Sequence, residues 1–308
     1  MSTDRRMAAE NSSSVTEFTL SGLRDQSRLQ MPLFFLFLSF YVVTVVGNLG
    51  LIALIGLNSH LQIPMDIFLF NLSFIDFSYS TTITPKILIG FVLKKNIISY
   101  AECITQFFFS CFFVFSESYI LSAMAYDRYM AICKPLLYKV IRSPQMCFFL
   151  LAGIYGMGVL GAVAHLRTIL FVTFHADSLI NMCDMIPLLE LACNSSYIHL
   201  LVVFIVVTVD IGITIVTIFI SYGFILSNIL HISLSAGRSK KAFRTCSSHI
   251  IVVSLFFGSG AFIYFKPPSI LLLDQGKVVA MFNPLIYSLK NKDVKIALKK
   301  TLSRNVFS

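Results

Sequence analysis

Long apolar runs separated by short polar stretches set the pattern of this 308-residue chain. They lie at roughly 31–57, 65–92, 103–128, 145–171, 198–230, 240–264 and 269–290. Lipid offers the backbone no hydrogen-bond partners, so long apolar segments within it imply helices. At about 1.5 Å per residue, the first six runs can each cross about 30 Å of hydrocarbon. The seventh is short. Between Lys277 and Lys290 lie only Val278 to Leu289, twelve residues, which reach about 18 Å as a helix. To span, it must begin near Ser269 and take Asp274 and Lys277 into the bilayer, paired one turn apart. The pattern predicts an all-α membrane protein: a seven-transmembrane helix bundle with its N-terminus outside and helix seven shortened or atypical. Residues 1–30 are the extracellular segment, 31–290 the bundle and 291–308 a cytoplasmic basic tail. No fixed-period repeat and no pair of matching broken halves points to a solenoid or a transporter.

Composition agrees. The chain is 56% hydrophobic and 13% charged, with a mean hydropathy of +0.81. A soluble domain carries about twice that charged fraction. The start, Met1 to Arg28, is polar and has no apolar core of a signal peptide, so the first run is expected to act as the insertion signal. The formal net charge is +9. With the end of the third run inside, 14 of the 24 Lys and Arg fall on the cytoplasmic side, against only Asp127 and Asp293 as acids there. After Tyr287, Lys290, Lys292, Lys295, Lys299 and Lys300 interleave with Val294, Ile296, Leu298 and Leu302. Such a tail can lie on an anionic inner leaflet.

Chemistry-bearing residues are sparse. Asn48, Asp76, Glu117 and Asn283 are polar positions in apolar surroundings. A carboxylate in the bilayer needs a partner, and two close together cannot both stay charged cheaply. Either a sodium ion sits between Asp76 and Glu117, or they belong to a neutral hydrogen-bonded cluster that locks the helices. Asp210 is alone among Ile, Val and Thr. It either anchors a polar or amine group of a ligand or, protonated, bonds a neighbouring helix. The six histidines have no metal-ligand spacing, and His249 reads as an interfacial polar residue. No phosphate loop or nucleophile elbow is present, so no enzyme is expected, and no cofactor beyond the sodium. Cys103, Cys183 and Cys193 fall on the oxidising side and allow one bridge, which spacing alone does not choose. Asn11-Ser12-Ser13 is an acceptor sequon on the outer segment.

The motifs are more specific. Met124-Ala125-Tyr126-Asp127-Arg128-Tyr129-Met130-Ala131-Ile132-Cys133 ends the third run, followed by Lys134-Pro135-Leu136-Leu137-Tyr138. Gly47-Asn48 lies in the first run and Pro64-Met65 opens the second, which continues through Asn71-Leu72-Ser73-Phe74-Ile75-Asp76. Ser221-Tyr222 ends the fifth; Lys241 to His249 opens the sixth; Asn283-Pro284-Leu285-Ile286-Tyr287 lies in the seventh. Together these resemble the odorant receptors of the class II vertebrate type, within the rhodopsin-like G-protein-coupled receptors, over nearly the whole chain.

The resemblance implies a receptor in the plasma membrane. It would bind small volatile odorants and activate a stimulatory G protein that raises cyclic AMP. Its pocket would lie among helices three, five and six, with candidates Ser110, Cys111, Val114, Phe115, Val207, Asp210, Phe257, Ser259, Gly260 and Tyr264. Cys103–Cys183 would be the outer disulfide. Asp127, Arg128, Tyr222, Lys241, Asn283, Pro284 and Tyr287 would form the switch on the G-protein side. The chain departs from the family at Gln62-Ile63, Asp66, His175 and Arg244, and lacks roughly two turns after Val279. The alternative expectation is a degenerate member whose truncated helix seven keeps it from the surface. A channel or transporter using the buried carboxylates is the more distant rival.

Overall fold

The computed structural model describes residues 17–20, 27–57, 64–92, 96–141, 143–170, 179–180, 183, 197–231, 246–247, 249–251, 253–254 and 256–258. In chain order these form β1 (Glu17–Leu20), α1 (Ser27–Leu57), α2 (Pro64–Val92), β2 (Asn96–Ser99), α3 (Tyr100–Cys133), the short α4 (Pro135–Ile141), α5 (Pro144–Leu170), β3 (Leu179–Ile180) and α6 (Tyr197–His231). The first five apolar runs are therefore α1, α2, α3, α5 and α6. Part of the sixth run, within 246–258, is helical. The seventh run, the basic tail and Asn11 lie outside the described residues.

Local signals explain the boundaries. Ser99 caps α3 in a reciprocal box: its hydroxyl accepts from the Glu102 N–H at 3.2 Å, and the Glu102 carboxylate accepts from the Ser99 N–H at 3.1 Å. Proline opens α2, α4 and α5, where a missing N–H costs nothing. The Ser143 hydroxyl accepts from the Met146 N–H at the start of α5. Pro135 stops α3 one residue after its last turn.

Among the described residues, four helices are long and apolar enough to cross a membrane: Gln30–Leu57, Tyr100–Cys133, Gln145–Leu170 and Thr208–Asn228. The other long helix, α2, carries polar residues and turns Asp66, Ser73, Asp76, Ser80 and Thr84 inward. Helix α3 is the centre of the bundle and packs against α2, α5 and α6, while α1 packs on α2. Ile120, Leu121, Met124 and Ala125 of α3 are wholly buried. Ile120, Leu121 and Met124 join Leu51, Leu54, Phe68, Leu69, Leu72, Ile75 and Ile154 in one core. Large apolar side chains on the outside, such as Phe148, Phe149, Leu160 and Phe219, face where lipid would solvate them.

The outer side carries a three-stranded sheet in the order β2-β1-β3. Strand β1 pairs antiparallel with β2, Glu17 opposite Ser99, and parallel with β3, Thr19 opposite Leu179. Cys103, in the first turn of α3, is disulfide-bonded to Cys183 just after β3.

Candidate functional site

The middle of the bundle holds a polar cluster built by three helices. The Tyr119 hydroxyl of α3 donates to Asp210 Oδ1 of α6 at 2.8 Å. One turn inward, the Ser122 hydroxyl donates to the Thr214 carbonyl at 3.3 Å. From α5 comes His165, only 3% exposed, whose Nδ1 donates to the Gly161 carbonyl at 2.8 Å. Its ring centre lies 5.0 Å from that of Phe115, and the Asp210 carboxylate is within electrostatic reach.

Two glycines permit this approach of α5 to α3. A Cβ on Gly158 would stand 2.3 Å from Ser116 Oγ and 3.3 Å from the Phe112 carbonyl oxygen. On Gly161 it would stand 2.9 Å from Phe115 Cδ2. Small residues at such spacing let membrane helices come close. Nearby, the Tyr155 hydroxyl of α5 donates to Asn71 Oδ1 of α2 at 2.8 Å.

The candidate pocket residues divide. Phe115 is buried against α5, under Gly161 and His165. Ser110 is half-buried, and its hydroxyl is enclosed with no partner among the described residues. Cys111 is half-buried and takes no part in a disulfide, and Val114 is 38% exposed. Asp210 is half-buried and held by Tyr119. Phe257 is half-buried, edge-on to Phe256 with ring centres 5.0 Å apart. Val207 lies in α6, but its side chain is outside the described set, as are Ser259, Gly260 and Tyr264.

Asp76 and Glu117 are both 6% exposed and close enough for one charge to act on the other. Ser80, one turn from Asp76 on the same helix, has a buried hydroxyl with no partner among the described residues. Asn48 is fully buried and donates to the Thr44 carbonyl at 2.9 Å.

At the inner end, Arg128 is half-buried, and its enclosed Nε has no acceptor among the described residues. Its charge acts on Tyr222, Cys246 and His249. The Tyr222 hydroxyl is hydrogen-bonded to His249 Nδ1. His249, read as an interfacial polar residue, is 2% exposed and meets the Tyr222 hydroxyl. Asp127 is half-buried and lines a small recess with Pro64, Phe68, Tyr138 and Cys147. Lys241, Asn283, Pro284 and Tyr287 lie outside the described residues.

Tyr119, His165 and the Gly158/Gly161 pair were not legible as site residues. A tyrosine hydroxyl in an apolar run needs a partner, and that signal could have singled out Tyr119. Gly158 and Gly161 carry the small-residue signal of close helix packing.

Comparison with known proteins completes the picture. The sequence profile of the olfactory receptor family matches residues 37–305. Human olfactory receptor 8B8 is 67% identical over 312 aligned residues, covering 98% of this chain and 100% of that protein. Human olfactory receptor 8B12 is 68% identical with the same coverage, and mouse olfactory receptor 8B8 is 66% identical. The crystal structure of squid rhodopsin superimposes with a TM-score of 0.69 at 21% identity, over 94% of this chain and 88% of that one, and shows the seven-helix fold. These full-length matches lend no support to a degenerate member with a truncated seventh helix. They make the chain a receptor rather than an enzyme, threaded several times through the plasma membrane. With its helices, outer disulfide and inner arginine in place, the chain belongs to the olfactory receptor family of G-protein-coupled receptors.

Proposed function

We propose that this receptor binds small volatile molecules among α3, α6 and the sixth run and activates a stimulatory olfactory-type G protein, raising cyclic AMP. The observation that carries the reading is Arg128. It sits at the inner end of the central helix with an enclosed Nε that is unpaired among the described residues and a charge that acts on both α6 and the sixth run. A cation with incomplete hydrogen bonding there is ready for a partner that arrives from the cytoplasmic side. The mechanism is population shift. An agonist that binds one packing of these helices better than the other moves the equilibrium by its differential affinity. Asp127, Tyr222 and Lys241, with Asn283, Pro284 and Tyr287 of the seventh run, complete the switch in this reading. A sodium ion held by Asp76 and Glu117 fits the same scheme: the donors are hard oxygens, and Ser80 offers a neutral one. In that state the ion lets both carboxylates stay charged.

The test is Arg128→Ala in cells carrying a cyclic AMP reporter, with receptor counted at the surface by an outer tag. Agonist-evoked cyclic AMP is expected to vanish while surface receptor persists. Undiminished signalling removes Arg128 from the switch.

A further inference from the structure

Among the described residues, the polar cluster of the mid-bundle leaves one buried ring nitrogen unpaired. His165 Nδ1 faces the Gly161 carbonyl at 2.8 Å. A carbonyl only accepts, so Nδ1 carries the hydrogen. The ring is 3% exposed in an apolar bundle, where the neutral imidazole is the form tolerated. Nε2 is then a bare lone pair, and it is buried with no partner among the described residues. The Asp210 carboxyl acts on the imidazole through its charge but makes no hydrogen bond to Nε2. Tyr119 commits its hydroxyl hydrogen to Asp210 Oδ1. Thr214, one turn along α6, donates to the Asp210 and Ile211 carbonyls at 3.2 and 2.8 Å, and so supplies nothing to the side chains. Phe115 lies against the imidazole and offers no donor. Among the described residues, His165 Nε2 lacks a hydrogen-bond donor.

We infer that an alcohol or phenol odorant supplies it, with its hydroxyl hydrogen directed to His165 Nε2. This rests on the odorant-receptor reading and deepens it by naming the ligand class. Ketones, aldehydes, esters and ethers bring only acceptors, which would face acceptors here. A protonated amine brings a charge and three donors where one donor is lacking, and its desolvation is costly. A hydroxyl matches the count. Discrimination of this kind is large, because a ligand without the donor leaves a buried acceptor unpaired. His165 contributes through an atom that no metal or salt bridge occupies among the described residues, and helix α5 thereby joins the ligand site.

The experiment uses purified full-length receptor and matched odorants on shared carbon skeletons: the alcohol or phenol, its methyl ether, the aldehyde and the primary amine. Ligand-induced thermal stabilisation reads binding, and cyclic AMP in cells reads coupling. The hydroxyl compound is expected to bind at least about tenfold more tightly than its ether. In His165→Phe that ratio is expected to fall to about one, and in His165→Gln, which keeps an acceptor, to persist in part. Equal binding of alcohol and ether by the native receptor overturns the inference, as does a preference for aldehyde or amine, a ratio unchanged in His165→Phe, or no binding of any hydroxyl compound. A native ratio near one is also the result if a resident water satisfies Nε2, so this outcome counts against the inference even if His165→Phe fails to fold. Hydroxyl-selective binding without cyclic AMP would instead overturn the coupling reading and leave the ligand class standing.

Discussion

Alanine in place of glycine should act in opposite directions at two positions of the same helix, five residues apart. In α5, nothing lies within 4 Å of a Cβ built on Gly156. Gly156→Ala therefore only removes backbone freedom from the unfolded chain, stabilising by about 0.5–1 kcal/mol. At Gly161 the same methyl meets Phe115 Cδ2 at 2.9 Å, Cγ at 3.1 Å and Cε2 at 3.2 Å. Three atoms of one ring are struck at once, so a small rotation does not clear them. The ring is itself buried against His165 and cannot swing away without moving the imidazole. Overpacking of this kind costs about 1–3 kcal/mol. The helix-propensity gain offsets a part, leaving Gly161→Ala roughly 1–2 kcal/mol less stable. The two variants should thus differ by about 2 kcal/mol, enough to change abundance several-fold. Surface receptor counted by flow cytometry, together with thermal inactivation in detergent, measures both. If Gly161→Ala is as abundant and as heat-resistant as Gly156→Ala, α5 does not approach α3 as described, and the placement of His165 fails with it.

Other consequences are open to direct measurement. Tyr119→Phe removes the donor to Asp210 and should cost about 0.6 kcal/mol, the average for side-chain hydrogen bonds between membrane helices, and no more than about 1.7; a double variant with Asp210→Asn that shows no coupling energy would refute the contact. Cys103→Ser or Cys183→Ser should lower folded receptor by an amount matching about 2–4 kcal/mol, and Cys193→Ser should do much less. Peptide mapping that joins Cys193 to Cys103 would count against this order. Ser99→Ala loses half of the capping box at the start of α3, about 1 kcal/mol, visible as a modest fall in thermal stability.

Much of the bundle was legible because lipid imposes a simple rule. Runs read at 31–57, 65–92, 103–128, 145–171 and 198–230 emerge as helices at 27–57, 64–92, 100–133, 144–170 and 197–231. The extensions are polar ends such as Tyr100 to Glu102, which hydropathy cannot include but a serine cap can hold. The strands were not foreseen. Four residues at Glu17 to Leu20 acquire meaning only from partners brought close by the folded bundle. A sequence carries no distances, so it does not choose between ligand anchor and helix partner for Asp210; Tyr119 at 2.8 Å is a helix partner. His165 escaped notice because its significance lies in one nitrogen, fixed by a carbonyl one turn back on its own helix.

The sheet on the outer face has a consequence for the order of assembly. Its central strand, β1, is among the earliest parts of the chain to be made, while β3, parallel to it, lies 160 positions later at Thr19 opposite Leu179. Strands β2 and β3 flank β1, so the sheet is complete only when the amino-terminal segment is already outside and the four long helices α1, α2, α3 and α5 have been laid down between its strands. Contacts so distant along the chain are slow to close. Until then the edge of β1 that will receive β3 is an unpaired strand edge, open to wrong partners in a crowded lumen. The cap over the bundle is thus a late checkpoint, and the yield of finished receptor should respond to how long that edge waits.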